Sequence, residues 1–301
     1  MSRFELIAAA FTPMTASGEL NLAAVPALVD HTLGQTCEAS GKAAVDGLFV
    51  GGSTGEFSSL TVAERMQVAE AYQQAAGERC RMFVHVGCNS IDNSVALAKH
   101  AEAIGAPAIG YAPPTYFRPA DVHAVAACLQ KVAAAAPKTQ VFYYHIPPLT
   151  GVHIRMVDLL PLMAESTPNF AGVKFSHTQF DDLARCVNGS YQMLFGADEM
   201  LLAGAAIGAN GAVGSTYNYF AKHYRRVLHA YEEGNMRQAQ EHQAVASQAV
   251  HKVLEFGGMS AIKAAMTCAG VDVGPPRLPL TPLAAEQQSE LAQIMGEILA
   301  D

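Results

Sequence analysis

The sequence predicts an α/β fold: a (β/α)8 TIM barrel over residues 1–222, with a C-terminal helical extension over 223–301 packed on it. Three observations carry this. Eight short apolar runs alternate with longer helical patterns. The runs have no polar face, as expected for parallel strands covered on both sides. After about Tyr219 the alternation stops and the pattern becomes purely helical. A barrel of this kind uses about 250 residues, and the chain has 301, which leaves room for an appended element.

The strands are expected at Leu6–Phe11, Gly47–Gly51, Met82–Val86, Ala108–Ala112, Gln140–His145, Gly172–Phe175, Met193–Phe195 and Ala212–Gly214. Gly or Pro follows most of them closely and marks a turn. Between the first two, Val25, Leu28, Val29, Thr32 and Leu33 form one apolar helical stripe. Thr61-Val-Ala-Glu64 is a capping box that opens a helix running to about Gly77. Asp121 to Ala136 is Ala-rich and stops before Pro137, and Asp198 to Ile207 is a short apolar helix ended by Gly208. A doubly wound sheet is the competing architecture. It would carry a Gly-rich phosphate turn after the first strand, where this chain has Thr12-Pro13-Met14. The extension reads as helices His223–Glu233, Met236–Phe256, Ser260–Cys268 and Leu283–Leu299, with Gly274 to Pro279 as a rigid extended loop.

Composition narrows the function classes. The formal net charge is −8, from 19 basic and 27 acidic residues, with no basic tract. This argues against nucleic acid or an anionic membrane as partner. Cys37, Cys80, Cys88, Cys128, Cys186 and Cys268 are scattered without a C-x-x-C pair, so a disulfide framework is not expected. The apolar N-terminal run ends at Pro13 without the form of a signal peptide, and no stretch reaches the ~18 apolar residues of a membrane span. A cytoplasmic protein is expected. The sequon Asn188-Gly189-Ser190 carries no weight without a secretion signal.

Barrel chemistry sits at the C-terminal ends of the strands. That rule selects Thr12, Ser53, Thr54, Glu56, Tyr116, Tyr144, Lys174, Ser176, Asp198, Ser215 and Thr216. Lys174 stands out because it interrupts the apolar strand Phe170-Ala-Gly-Val-Lys-Phe-Ser176. Only a neutral amine attacks a ketone, and burial disfavours an ammonium. A protonated imine formed there would be the electron sink that a retro-aldol cleavage requires. The alternative is a lysine that leaves the barrel mouth or pairs with an acid.

Gly51-Gly52-Ser53-Thr54-Gly55-Glu56 is a candidate carboxylate cradle, since glycines let backbone N–H groups converge and two hydroxyls add donors. It reads equally as a tight strand-to-helix turn. Of Tyr143 and Tyr144, only one can face inward. An inward phenol can relay a proton or be a core tyrosine with a satisfied hydroxyl. Asp198-Glu199 could accept hydrogen bonds from a polyol or simply cap a helix. His85 and Cys88, spaced H-x-x-C, and His145 and His177 lack recognised ligand spacing, so no metal is expected. His85 is expected to be a hydrogen-bonded interior residue.

Four ordered motifs resemble the dihydrodipicolinate synthase / N-acetylneuraminate lyase family. They are Gly-Gly-Ser-Thr-Gly-Glu at 51–56, Tyr-Tyr-His-Ile-Pro-Pro-Leu-Thr-Gly-Val at 143–152, Gly-Val-Lys-Phe-Ser at 172–176 and Gly-Ala-Val-Gly-Ser-Thr-Tyr-Asn at 211–218. The resemblance runs from Thr12-Pro13 to the Gly274-Pro279 loop. It implies a barrel enzyme without cofactor, usually a homotetramer, in which Lys174 forms a Schiff base with pyruvate. By the same resemblance, Ser53 and Thr54 hold the pyruvate carboxylate and Tyr144 serves proton transfer. Ser176, Gly196, Asp198, Glu199 and Ser215 hold the sugar-derived chain, and Tyr116 reaches into a neighbouring subunit's site.

The Leu-Phe-Gly-x-Asp-Glu and Gly-Ser-Thr-Tyr-Asn-Tyr segments look most like the lyase branch. That branch implies reversible cleavage of N-acetylneuraminate to N-acetylmannosamine and pyruvate. The alternative within the family is an aldolase or dehydratase acting on a 2-keto-3-deoxy sugar acid. The synthase branch places an arginine where this chain has Leu149. Loss of that charge-assisted contact argues against a dicarboxylate product. A non-catalytic sensor on the same barrel would be expected to have lost Lys174 or Tyr144, and both are present.

Overall fold

The structure, a computed structural model, describes residues 3–37, 41–187 and 189–300; the sequon's Asn188 lies outside them. Eight parallel strands pair in chain order and close on themselves. They are β1 (Glu5–Ala9), β2 (Gly47–Val50), β3 (Arg81–His85), β4 (Ala108–Tyr111), β5 (Gln140–His145), β6 (Phe170–Phe175), β7 (Gln192–Phe195) and β8 (Gly211–Gly214). Every expected strand is present. β6 begins two residues earlier than expected, on Phe170, and β8 one earlier, on Gly211; β1, β3 and β7 also begin one residue earlier than their apolar runs, on Glu5, Arg81 and Gln192. These polar residues meet inside the barrel floor. Arg81 donates to Glu5 at 3.2 Å, to Gln192 at 3.0 Å and to Gln140 at 2.6 Å. All four come from alternate strands, the layering expected of such a barrel.

Strand alternation sorts the remaining side chains. Ile7, Ala9, Phe49, Phe83, Phe142, Tyr144, Leu194 and Val213 fill the interior. Their neighbours, including Leu6, Leu48, Val84, Tyr143, Phe175 and Phe195, face the surrounding helices and join the larger outer core.

The helices follow in order: α1 (Val25–Gly34), α2 (Val62–Ala76), α3 (Ile91–Ala103), α4 (Val122–Ala133), a short α5 (Pro147–Thr150), α6 (Met156–Ser166), α7 (Phe180–Cys186), α8 (Leu201–Ile207) and α9 (Tyr217–Glu232). The α2 capping box forms. The Thr61 hydroxyl accepts from the Glu64 backbone N–H at 3.2 Å, and the Glu64 carboxylate accepts from the Thr61 N–H at 2.8 Å. Such a cap contributes about 1 kcal/mol. The helix expected over Asp198–Ile207 is divided into a 3-10 turn, Asp198–Met200, and α8. Asp198 does not cap its own turn, because its carboxylate faces Thr216 instead.

The expected division at residue 222 falls inside α9, whose backbone departs from helical geometry at Phe220 (φ −125°, ψ 18°). α9 packs on β1 and β8 as the last barrel helix. Its buried Arg225 donates to Ala44 and Phe4 carbonyls and to Asp46, tying the helix to the chain entering β1 and β2. α10 (Met236–Glu255) lies along α9, and α11 (Met259–Cys268) and α12 (Ala285–Ala300) complete the extension. Among the described residues, no helix is long and apolar enough to cross a membrane.

Candidate active site

β5 and β6 pair with Tyr144 opposite Lys174. Neighbouring residues on paired strands share a face, so the phenol and the amine both enter the barrel. Tyr143 and Phe175, one step along, face outward. Lys174 is 4% exposed and Tyr144 3%. The Lys174 Nζ lies 4.0 Å from the centre of the Tyr144 ring and 4.1 Å from that of Phe49. Phe49 has room because its neighbour in β4 is Gly110; a Cβ there would come within 2.7 Å of the Phe49 ring.

The turn after β2 reaches the Tyr144 hydroxyl beside this amine. Ser53 Oγ is 3.3 Å from Tyr144 Oη, and Thr54 Oγ1 is 2.7 Å from Ser215 Oγ at the end of β8. Thr12, from the end of β1, donates to the Gly55 carbonyl at 2.7 Å. His85 Nδ1 lies 3.0 Å from the Gly51 carbonyl, so this nitrogen carries the ring proton and donates it. Burial first, then the nearby Arg65 and Lys174, holds the His85 imidazole well below its ordinary pKa and keeps it neutral. Arg65 in α2 donates to the carbonyls of His85 (2.7 Å) and Gly87 (2.9 Å). His85 is therefore the hydrogen-bonded interior residue the sequence suggests. Arg65 was not selected from the sequence, since nothing in the α2 pattern marks it as inward.

Glu56 ends the turn in a left-handed backbone conformation (φ 53°, ψ 36°), which costs a non-glycine residue about 1–2 kcal/mol. Its carboxylate is buried between the Lys263 ammonium, at 2.5 Å, and the Arg277 backbone N–H, at 2.7 Å.

The opposite side of the mouth holds Ser176, Gly196, Asp198, Glu199 and Ser215, at the ends of β6, β7 and β8. A side chain at Gly196 would collide with Ser176 Oγ. Asp198 is buried, and its Oδ2 accepts from the Thr216 N–H at 2.9 Å and the Thr216 hydroxyl at 2.6 Å. That hydroxyl also lies 2.8 Å from Tyr224 Oη. The carboxylate so sits at the N-terminus of α9, where negative charge is favoured. Desolvation nevertheless dominates and pushes Asp198 up to about 6, against the lowering effect of Thr216.

Tyr116 stands apart from this cluster. Its ring is 80% exposed and meets Phe117 edge-on at 5.0 Å. Asn89 holds the loop by accepting from the backbone N–H groups of Thr115 and Tyr116. Leu149 is 64% exposed. His145 is buried behind the sheet with its ring 5.5 Å from that of His177; burial, then His177 and His153, lowers it to about 3. Among the described residues, no three His, Cys, Asp or Glu side chains converge as a metal-binding group.

Ser53 and Tyr144 also line a cavity of about 780 Å³ that extends over α2 to Leu149 and Leu280. A groove of about 890 Å³ between Met14–Ala16 and α11 and α12 contains none of the cluster. The juxtaposition of Lys174, Tyr144, Ser53 and Thr54, rather than cavity size, marks the barrel mouth as the candidate site.

Comparison with known proteins agrees with this geometry. Residues 3–298 match the dihydrodipicolinate synthetase family. The chain is 42% identical to an N-acetylneuraminate lyase of Gallus gallus over 282 residues, covering 91% of this chain and 89% of that one. It is 39% identical to that of Danio rerio over 307 residues, covering 96% and 94%. The solved N-acetylneuraminate lyase of Proteus mirabilis superposes with a TM-score of 0.92 at 33% identity, with 98% of each chain covered.

The raised Asp198 pKa has a stability consequence. Folding holds this proton more tightly than the unfolded chain does. The favourable contribution is complete below about pH 4 and is lost as pH rises through about 6. The displacement corresponds to about 3 kcal/mol. Asp198→Asn cannot lose this contribution. Relative to the unmodified protein, its stability should rise by up to about 3 kcal/mol between pH 4 and pH 7 in urea titrations. A difference independent of pH would contradict the assignment.

Proposed function

The chain belongs to the dihydrodipicolinate synthetase family, and from that premise we propose that it is a Schiff-base aldolase cleaving N-acetylneuraminate reversibly to N-acetylmannosamine and pyruvate. The observation that carries this is the Lys174 amine held inside the barrel against the Tyr144 ring. The substrate follows from the relatives that share about two-fifths of their residues with this chain.

In this reading Lys174 adds to C2 of the open-chain keto acid, and loss of water gives the protonated imine. Ser53 and Thr54 bind the adjacent carboxylate with their hydroxyls and turn N–H groups. Tyr144, together with that carboxylate, takes the C4 hydroxyl proton as the C3–C4 bond breaks. The bond electrons pass into the imine, which becomes an enamine, and the aldehyde form of N-acetylmannosamine departs. Protonation at C3 and hydrolysis then release pyruvate and restore the amine. The 3.3 Å separation of Tyr144 Oη from Ser53 Oγ supports a proton path along the hydroxyls.

Ser176, Gly196, Asp198, Glu199 and Ser215 take the polyol chain in this assignment. Carboxylates accept from hydroxyls and repel a second acid group, so Asp198 and Glu199 select by attraction and repulsion together. Leu149 removes the cation that a dicarboxylate would need. The same reading makes the protein a cytoplasmic homotetramer in sialic acid degradation, with small-molecule substrates and neither nucleic acid nor membrane as partner. The exposed Tyr116–Phe117 pair supports assembly, with Tyr116 completing the neighbouring site.

Incubation with N-acetylneuraminate should release pyruvate faster than incubation with 2-keto-3-deoxy sugar acids. Faster turnover of aspartate semialdehyde with pyruvate would replace the lyase reading by a synthase. Tyr144→Phe should lower kcat by roughly 10²- to 10⁴-fold, the scale of a lost proton-transfer group, while imine formation with pyruvate persists. A near-normal kcat would leave Tyr144 as a core residue.

A further inference from the structure

Ser53, Tyr144 and Lys174 all lie outside the C-terminal extension, yet the extension grips both sides of the mouth. On the sugar side, α10 holds the turn that carries Asp198 and Glu199. The Gln243 side-chain oxygen Oε1 accepts from the Leu202 N–H at 2.8 Å, and the Ser247 hydroxyl donates to the Glu199 carbonyl at 2.6 Å. On the carboxylate side, the contact is Glu56 with Lys263 of α11 and the backbone of Arg277.

The Glu56 contact has two unusual features. Glu56 is the one non-glycine among the described residues with a positive φ. A residue stays in that region only where its surroundings enforce it. Glu56 and Lys263 are also both about 1% exposed at the side chain. Desolvating two charges consumes most of their mutual attraction, and an apolar pair of similar size commonly holds a fold as well. What the charged pair adds is a single geometry. That geometry reaches the site directly, because the Glu56 N–H donates to the Ser53 carbonyl at 3.0 Å. Ser53 in turn faces Tyr144. Arg277 reinforces the same anchor by donating to the Gly18 and Ser59 carbonyls and pairing with Glu64, which it holds down at about 2.

We propose that Lys263 is a positioning residue for the carboxylate-binding turn, acting through Glu56; this rests on reading Lys174 as the amine that takes up pyruvate. The C-terminal extension then tunes the two halves of the substrate separately, the pyruvate end through Lys263 and the sugar end through Gln243.

The test follows inactivation by pyruvate with borohydride over a range of pyruvate concentrations, alongside steady-state cleavage of N-acetylneuraminate. Glu56→Gln and Lys263→Met should each raise the half-saturating pyruvate concentration by about tenfold or more, the scale of a lost hydrogen bond to a charged group. The limiting trapping rate at saturating pyruvate should be kept, and Lys263→Arg should recover part of the affinity. Gln243→Leu should leave the half-saturating pyruvate concentration in place and raise KM for N-acetylneuraminate. Unchanged pyruvate half-saturation in Glu56→Gln and Lys263→Met overturns the proposal. So does an equal loss on both readouts in all three variants, which would make the extension a general brace. If Lys263→Met does not fold, the Glu56→Gln value decides. If the unmodified protein traps no pyruvate on Lys174, the proposed function falls and this inference falls with it.

Discussion

Pairing of β5 with β6 sets Tyr144 opposite Lys174, and the site is built outward from that register. A slip of one residue would send both side chains into the layer between sheet and helices, where Tyr143 and Phe175 now pack. The register is held because each strand buries both faces, so a slip exchanges two complementary sets of apolar residues at once. Interior space is then divided by size. Phe49 fills the place left by Gly110 and forms one wall against the amine. The polar floor of Glu5, Arg81, Gln140 and Gln192 closes the far end with its hydrogen-bonding groups paired.

The mouth shows a different economy. Its turns carry buried polar and charged groups that an apolar core would not tolerate unpaired. Each is matched from another part of the chain: Thr54 by Ser215, Asp198 by Thr216, Glu56 by Lys263. In the proposed reading, the barrel places the reacting groups by strand alternation, and the loops place the binding groups by long-range polar contacts. The extension belongs to the second system, although neither Lys174 nor Tyr144 lies on it.

This division explains what could be read from the sequence. All eight strands were legible because burial on both faces leaves short apolar runs punctuated by Gly and Pro. Five starts were placed late: those of β1, β3 and β7 because Glu5, Arg81 and Gln192 are polar yet point inward, and those of β6 and β8 because Phe170 and Gly211 stand just outside the apolar runs chosen. Lys174 was conspicuous as a charge inside an apolar strand. Alternation said that only one of Tyr143 and Tyr144 faces inward, and the pairing with β6 was needed to choose Tyr144. The start of α9 was obscured by the aromatic Tyr217-Asn-Tyr-Phe220 segment and by the kink at Phe220. Glu56 stood in a visible motif, but its partner Lys263 lies on α11, far along the chain, and no local pattern joins them. Arg65 and Gln243 were hidden for the same reason: each sits on a helix and acts through a carbonyl or N–H that the side-chain sequence does not display.

The central claim is that one amine, Lys174, forms a covalent imine with pyruvate. The direct measurement is peptide mapping by mass spectrometry after borohydride reduction of the protein with pyruvate. The account predicts one reduced pyruvyl group per chain, on the peptide containing Lys174, and none after Lys174→Ala. A label on Lys222 or Lys263, or no label at saturating pyruvate, would contradict it.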